Sequence, residues 1–511
     1  MSNPLAPSRR AADLARDAAV ITAVLLTAVV LAWASVTSPL LMLFGAGGLA
    51  VAAVVLRRPD VATLVVLATM YVNAPVVAVN QHGLPFVVGV VVPFALLAPL
   101  VFHVVVRRER LRIGVAGPLL LVLATLQLVS ALAADDWTTT GPALLNFLTN
   151  GLALYLLLVN VLRSPRTIRL AALTVVLSAG LLGLVTALHA GMSDWPGVRF
   201  GGFSQLVRGD LLEDVDWGHY FSTEGLPSEL RAAGPIGETN FFALVLMLAL
   251  PYALAFVFAP RARHERVLAL LAAPFILGGI LLTYSRGALV VIAVVAGLFA
   301  VTGLIPRSTL LALGLGGVAV LAIPDMAVRL VRLATAPLLW TGGADQVGDA
   351  ALVGRFSEMV AAAHAWQDHP FLGLGPGLFP ANYPRYAAAL GYDVHDGPRE
   401  AHNLYLQFAA ELGTGGMLLL VVLLVVLARA MLRARRQAAS PAARAFAVAG
   451  LGVIAMLAAN GMFLHLAFER YLWLHVAIVA AWAAEQRRTT DTAPDGGALA
   501  PAQELPVEVR G

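Results

Sequence analysis

Apolar residues fill this chain in runs of roughly 18 or more, parted by short polar breaks, the pattern of helices that cross a bilayer. The runs predict about fourteen spans, at 18–34, 38–56, 60–78, 86–106, 116–134, 143–162, 168–190, 238–259, 266–284, 287–305, 308–323, 403–428, 445–464 and 469–485. Arg9, Arg10 and Arg16 precede the first run as they would in a leader, but a second run follows within a few residues without a small-residue cleavage pattern. The first run is therefore read as an anchor.

Composition supports the pattern. Hydrophobic residues make up 59% of the chain and charged residues 13%, with a mean hydropathy of +0.82; soluble domains carry about 25% charged residues. There is no cysteine, which excludes disulfides, thiolate metal sites and cysteine nucleophiles. All 34 basic residues are arginine, so Schiff-base and P-loop lysine chemistry are excluded as well. With the N-terminus in the cytoplasm, alternate loops hold Arg57/Arg58, Arg107–Arg112, Arg163–Arg169, Arg261–Arg266, Arg307, Arg429–Arg444 and Arg487/Arg488, as the positive-inside rule requires. The high pI comes from these loops and is no sign of nucleic-acid binding. Two long segments, 191–236 and 324–402, then fall outside, where a rigid scaffold carries function.

Several polar groups stand against this background. Arg286, in Thr283-Tyr284-Ser285-Arg286-Gly287, lies on the outer side between two apolar runs. It either snorkels to headgroups or offers a fixed cation to the diphosphate of a lipid carrier. Arg355 opens a helix predicted from Gly354 to about Asp368; it either pairs with Glu358 or helps hold an anion at that helix N-terminus. The stripe Phe356, Met359, Val360, Ala363 and Trp366 lays this helix on the membrane or caps the bundle with it. His402 sits at the mouth of a span, as a satisfied interfacial histidine or as a neutral imidazole able to accept a proton. Asn403, Gln407 and Glu411 follow at helical spacing as an inward polar stripe, and an ionisable group within a span is a functional candidate. Glu238, Thr239 and Asn240 read as helix-start chemistry with possible substrate contact, Gly373–Gly377 as tight turns, and Glu213, Asp214 and Asp216 as a solvated acidic run.

Taken in order, Glu238-Thr239-Asn240-Phe241-Phe242, Tyr284-Ser285-Arg286-Gly287, Gly354-Arg355, His369-Pro370-Phe371-Leu372-Gly373-Leu374-Gly375, Ala401-His402-Asn403-Leu404-Tyr405-Leu406-Gln407 and Glu411-Leu412-Gly413 resemble the O-antigen ligase and O-antigen polymerase superfamily. The resemblance implies an all-α polytopic membrane protein of about 12–14 transmembrane helices, similar to GT-C glycosyltransferases, with a long extracytoplasmic loop containing short helices. It divides the chain into a cytoplasmic segment 1–17, a transmembrane bundle 18–236, a catalytic region 237–416, C-terminal helices 417–486 and a disordered cytoplasmic tail 487–511. The implied activity is inverting, metal-independent glycosyl transfer at the bacterial inner membrane, with the active site on the periplasmic side. No cofactor is implied. The donor would be undecaprenyl-diphosphate-linked glycan and the acceptor a glycan or lipid hydroxyl. In that role His402 is the general base and Arg286 and Arg355 hold the diphosphate, with Asn240, Arg399, Asn403, Gln407 and Glu411 as weaker substrate contacts. Two arginines can offset the developing charge as a divalent ion otherwise would, and the first outer loop, about 35–38, shows no carboxylate pair. The alternatives are a lipid-linked oligosaccharide flippase and a protein O-oligosaccharyltransferase.

Overall fold

A computed structural model describes residues 58–85, 92–192, 197–208, 230–260, 262–341, 350–389, 397–466 and 469–491. The first two expected spans, the acidic run at 213–216 and most of the expected tail lie outside these residues. In chain order the helices are α1 Pro59–Tyr71, α2 Ala74–His82, α3 Val92–Val106, α4 Gly117–Ala133, α5 Trp137–Val161, α6 Pro165–Met192, α7 Thr239–Phe258, α8 Arg263–Leu282, α9 Arg286–Val301, α10 Thr309–Leu321, α11 Pro324–Leu333, α12 Ala350–Asp368, α13 Phe379–Ala389, α14 Leu404–Gln437, α15 Pro441–Asn460 and α16 Arg470–Asp491. Between α6 and α7 an antiparallel sheet forms from β1 Gly197–Arg199, β2 Ser204–Arg208 and β3 Leu230–Ala232. This sheet corrects the all-α expectation for the first outer loop.

Helix starts follow from local chemistry. Asp136 caps α5 by accepting from the Thr138 amide at 2.9 Å, Ser440 caps α15 ahead of Pro441, and Glu238 caps α7 by accepting from the Asn240 and Phe241 amides. Among the described residues, six helices (α5, α6, α7, α8, α14 and α15) are long and apolar enough to cross a membrane. The pair α1 and α2, bent by 49°, makes a seventh if it counts as one span. Helices cover most of the described part of the other twelve expected spans. The helices α3, α4, α9 and α10 fall in the short apolar class of 10–17 residues; sixteen residues reach only about 24 Å against a hydrocarbon core of about 30 Å.

The last expected span, 469–485, is corrected in character. Its helix α16 is buried on all sides from Tyr471 to Ala483, among α5, α6, α14 and α15. Shielded this way it carries Tyr471, Trp473, His475 and Trp482 along its buried length. It also runs on to Asp491, past the expected end at 485. The packing of α6 against α8 is close enough that a Cβ at Gly183 would overlap the Phe275 carbonyl. At one end of that contact Arg169, expected as a loop charge, is buried; it reaches Glu265 at 2.7 Å and stacks over Phe256.

Candidate active site

His402 stands two residues ahead of α14 with φ 44°, a left-handed conformation uncommon for a side chain larger than glycine. Asn403 caps the helix, its Oδ1 accepting from the Tyr405 and Leu406 amides at 3.0 Å. The turn is tied to the α15–α16 connection, because Leu404 donates its amide to the Gly461 carbonyl at 2.7 Å and Asn403 Nδ2 donates to Met462 O at 3.3 Å. That connection carries His465, whose ring meets His402 edge-on at 5.2 Å. Burial pushes His465 down to about 3, with His402 and Arg355 lowering it further, so it is neutral across the physiological range.

The second side of the site comes from α12. This helix begins at Ala350, so Arg355 lies in its second turn and the expected anion site at the helix N-terminus is not formed there. The stripe on α12 caps the bundle: Phe356 packs beside Leu339, and Trp366 Nε1 donates to Thr414 Oγ1 at 3.0 Å. This docking brings Glu358 onto His402, with Oε2 2.7 Å from Nδ1. The Glu358 side chain is 6% exposed and that of His402 23%. The Glu358 carboxylate and the Glu400 carbonyl, at 3.3 Å, both face Nδ1 of His402 rather than Nε2. Ser357, beside it, lies 3.1 Å from Tyr383 Oη of α13.

The inward stripe is present. Asn403, Gln407 and Glu411 are all buried; Gln407 Nε2 donates to Glu400 Oε2 at 3.0 Å and lies 3.4 Å from Glu411 Oε1. Burial raises the Glu400 carboxyl; His402 and Gln407 lower it, while Glu358 and Glu469 raise it further. Glu411 accepts backbone hydrogen bonds from Gly377 and Phe379, the latter at the start of α13. Its position is thus that of a buried brace beneath the site. Below it α14 breaks at Gly413, φ 69° and ψ −171°. The carbonyls of Ala410 and Glu411 accept from Leu374 and Gly375 at 2.8 and 3.0 Å, and Thr414 N donates to Pro370 O at 2.8 Å. The Gly373–Gly377 segment is structural: it splices the α12–α13 connection into the broken helix.

Arg286 begins α9 after Tyr284, which also has positive φ, at 51°. Ser285 Oγ donates to Asn240 Oδ1 at 3.0 Å, and Asn240 Nδ2 donates to Glu238 Oε1 at 2.8 Å. The next residue, Phe241, sets its ring 5.0 Å from that of His465. The start of α7 thus stands between the Arg286 turn and the histidine pair, with Asn240 on one side and Phe241 on the other. Arg231 of β3 braces the same turn by donating Nε to Thr283 O at 3.0 Å. Arg399 donates its amide to Pro380 O at 3.3 Å and its charge acts on Tyr383.

Sequence reading missed Glu358 as the partner of His402, and it missed His465, Glu469 and Arg470 altogether. Burial raises the Glu469 carboxyl against the pull of Arg470, and Glu238 raises it further. Arg470 Nη1 is buried without a hydrogen-bond partner among the described residues. The signal that singled out Arg286, an arginine on the side the charge rule leaves bare, applies equally to Arg470. Glu358 gave no such signal, because its pairing spans 44 residues.

Two imidazoles, four carboxylates and the guanidinium groups of Arg355 and Arg470 meet at one end of the bundle. Such a site can take a proton from a hydroxyl and neutralise an anionic leaving group. No curated protein matches the chain. Residues 267–421 match the sequence model of the O-antigen ligase family, a stretch that holds Arg286, Arg355, Glu358, Arg399, His402, Asn403, Gln407 and Glu411, while Asn240 and His465 lie outside it. Residues 267–421, about a third of the chain, are thus similar to the O-antigen ligase family, which supports the resemblance to the O-antigen ligase and polymerase superfamily.

Proposed function

We propose that this multi-pass membrane protein transfers glycan from undecaprenyl diphosphate to an acceptor hydroxyl, with inversion and without a metal ion, on the non-cytoplasmic side. The family implies glycosyl transfer of ligase or polymerase type. The observation that supports the mechanism is the 2.7 Å pair between buried Glu358 and partly exposed His402. His402 Nε2 takes the acceptor proton as the acceptor oxygen attacks the anomeric carbon. The bond from that carbon to the diphosphate breaks, and its electron pair leaves on the diphosphate. Arg286 and Arg355 offset that charge, and Glu358 stabilises the imidazolium that forms. Asn240, Arg399, Asn403, Gln407 and Glu411 serve the site mainly by shaping it, with Asn240 and Arg399 nearest to substrate. The loop arginines clustered at the far end of the bundle support the outward placement of His402.

The test is transfer by His402→Ala in a purified donor-plus-acceptor assay. A loss of about 10²–10⁴-fold with normal membrane insertion is expected; full activity would remove the base. Arg286→Ala and Arg355→Ala should each weaken donor binding about tenfold or more. A flippase would move carrier lipid across vesicles in the same preparations without making a glycosidic bond.

A further inference from the structure

A cavity of about 580 Å³ lies away from His402. It lies at the other end of α16, where Glu485 and Arg488 meet the α3–α4 and α5–α6 connections. Arg470 and Glu485 are fifteen residues apart on one straight helix, which separates the two sites by about 23 Å along the bundle.

The cavity is built around buried Asn160. Its Oδ1 accepts from the Arg112 amide at 2.7 Å and from Arg163 Nη2 at 2.9 Å, and its Nδ2 donates to Arg112 O at 2.7 Å. Arg163 Nη1 also donates to Arg110 O at 3.1 Å, so the backbone of 110–112 is fixed with its side chains around the opening. Five arginines line the cavity against three carboxylates. Glu109 is shared by Arg163 at 2.9 Å and Arg107 at 4.0 Å, with His103 Nδ1 at 3.3 Å. Glu485 is shared by Arg112 at 3.6 Å and Arg488 at 3.8 Å. Each of these carboxylates serves two guanidinium groups, and two positive charges remain in excess. Arginine forks suit phosphate oxygens.

We propose that this cavity binds a phosphate group, the headgroup of an anionic phospholipid in the leaflet opposite the His402 cluster. The source is a lipid and not free phosphate because the cavity opens beside apolar side chains: Leu111 on its lining is exposed, as are Val105, Val106 and Ile113 next to it. Soluble phosphate has no use for that apolar border, whereas acyl chains lie against it.

The experiment uses the full chain in detergent, with phosphatidylglycerol, phosphatidylcholine of the same chain length and inorganic phosphate as probes, read by native mass spectrometry and melting temperature. Arg107 and Arg110 are exposed, so the Arg107→Ala/Arg110→Ala variant keeps the fold and should melt like the parent in lipid-free detergent. The parent should retain phosphatidylglycerol, and the variant should retain it about tenfold less tightly. Equal retention by both proteins, or equal retention of phosphatidylcholine by the parent, would overturn the site. Displacement of phosphatidylglycerol by millimolar inorganic phosphate would overturn the lipid assignment. None of these readouts depends on glycan transfer.

Discussion

At the residue scale the site depends on which nitrogen of His402 is held. Glu358 faces Nδ1, so in the proposed mechanism Nε2 accepts the proton; Gln at 358 keeps the shape but removes the charge that would offset an imidazolium. Glu358→Gln is expected to cut the transfer rate by about 10²-fold or more, with donor binding kept and the pH profile altered. An unchanged profile would show that the contact is structural only. His465 supplies a pH prediction. Its folded pKa, about 3, lies below the ordinary 6.5, so the folded state binds fewer protons than the unfolded one. The stability it contributes is present above pH 6.5 and is lost as pH falls from there through about 3. The raised Glu400 works in the opposite sense: its contribution is present below the ordinary carboxylate pKa and is lost as pH rises through its elevated value. Melting curves of His465→Phe should therefore lose part of the acid-side decline, and a decline of equal steepness would speak against a buried neutral imidazole.

At the scale of elements, two contacts hold the outer loop and the bundle together. Gly413 takes φ 69°, and a Cβ there would overlap the Phe371 carbonyl, so Gly413→Ala should cost about 1–3 kcal/mol and loosen α13 over Glu411. Gly415→Ala is the matched control: its Cβ would sit 3.6 Å from Leu126, an ordinary contact, and thermal stability should hold or rise. Glu265→Gln leaves Arg169 buried without its partner charge and should destabilise the α6–α8 contact by about 3 kcal/mol. Equal melting of this variant and the parent would mean that water or headgroups reach the guanidinium.

At the scale of the whole molecule the bundle has two chemically distinct ends, and α14 connects them over 34 residues. Because the chain lacks cysteine, single substitutions report topology cleanly. Pro398→Cys, beside His402, and Gln437→Cys, at the far end of α14, are both exposed and should label with an impermeant maleimide from opposite faces of the membrane. Labelling from one face would undo the assignment of His402 to the outer rim. Transfer should also survive chelation by EDTA, since the proposed mechanism places arginines where a divalent ion would stand; inhibition would point to carboxylates as metal ligands.

Much of this protein is written along the chain. Apolar runs, arginine spacing and helix caps are properties of neighbouring residues, so membrane class and most helix positions were legible without a structure. Local signals of the same kind, one helix period or a charge on the unexpected side, single out His402, Arg286, Arg355 and the Asn403–Gln407–Glu411 stripe as candidates. What tertiary structure decided are relations between distant segments. Hydropathy cannot distinguish a lipid-facing helix from one such as α16 that other helices enclose, because both need apolar surfaces. Nor does any local pattern announce that Glu358 meets His402, that His465 lies edge-on to it, or that Gly373–Gly377 is spliced into a broken helix. Those contacts exist only once packing has paired surfaces that the chain itself keeps far apart.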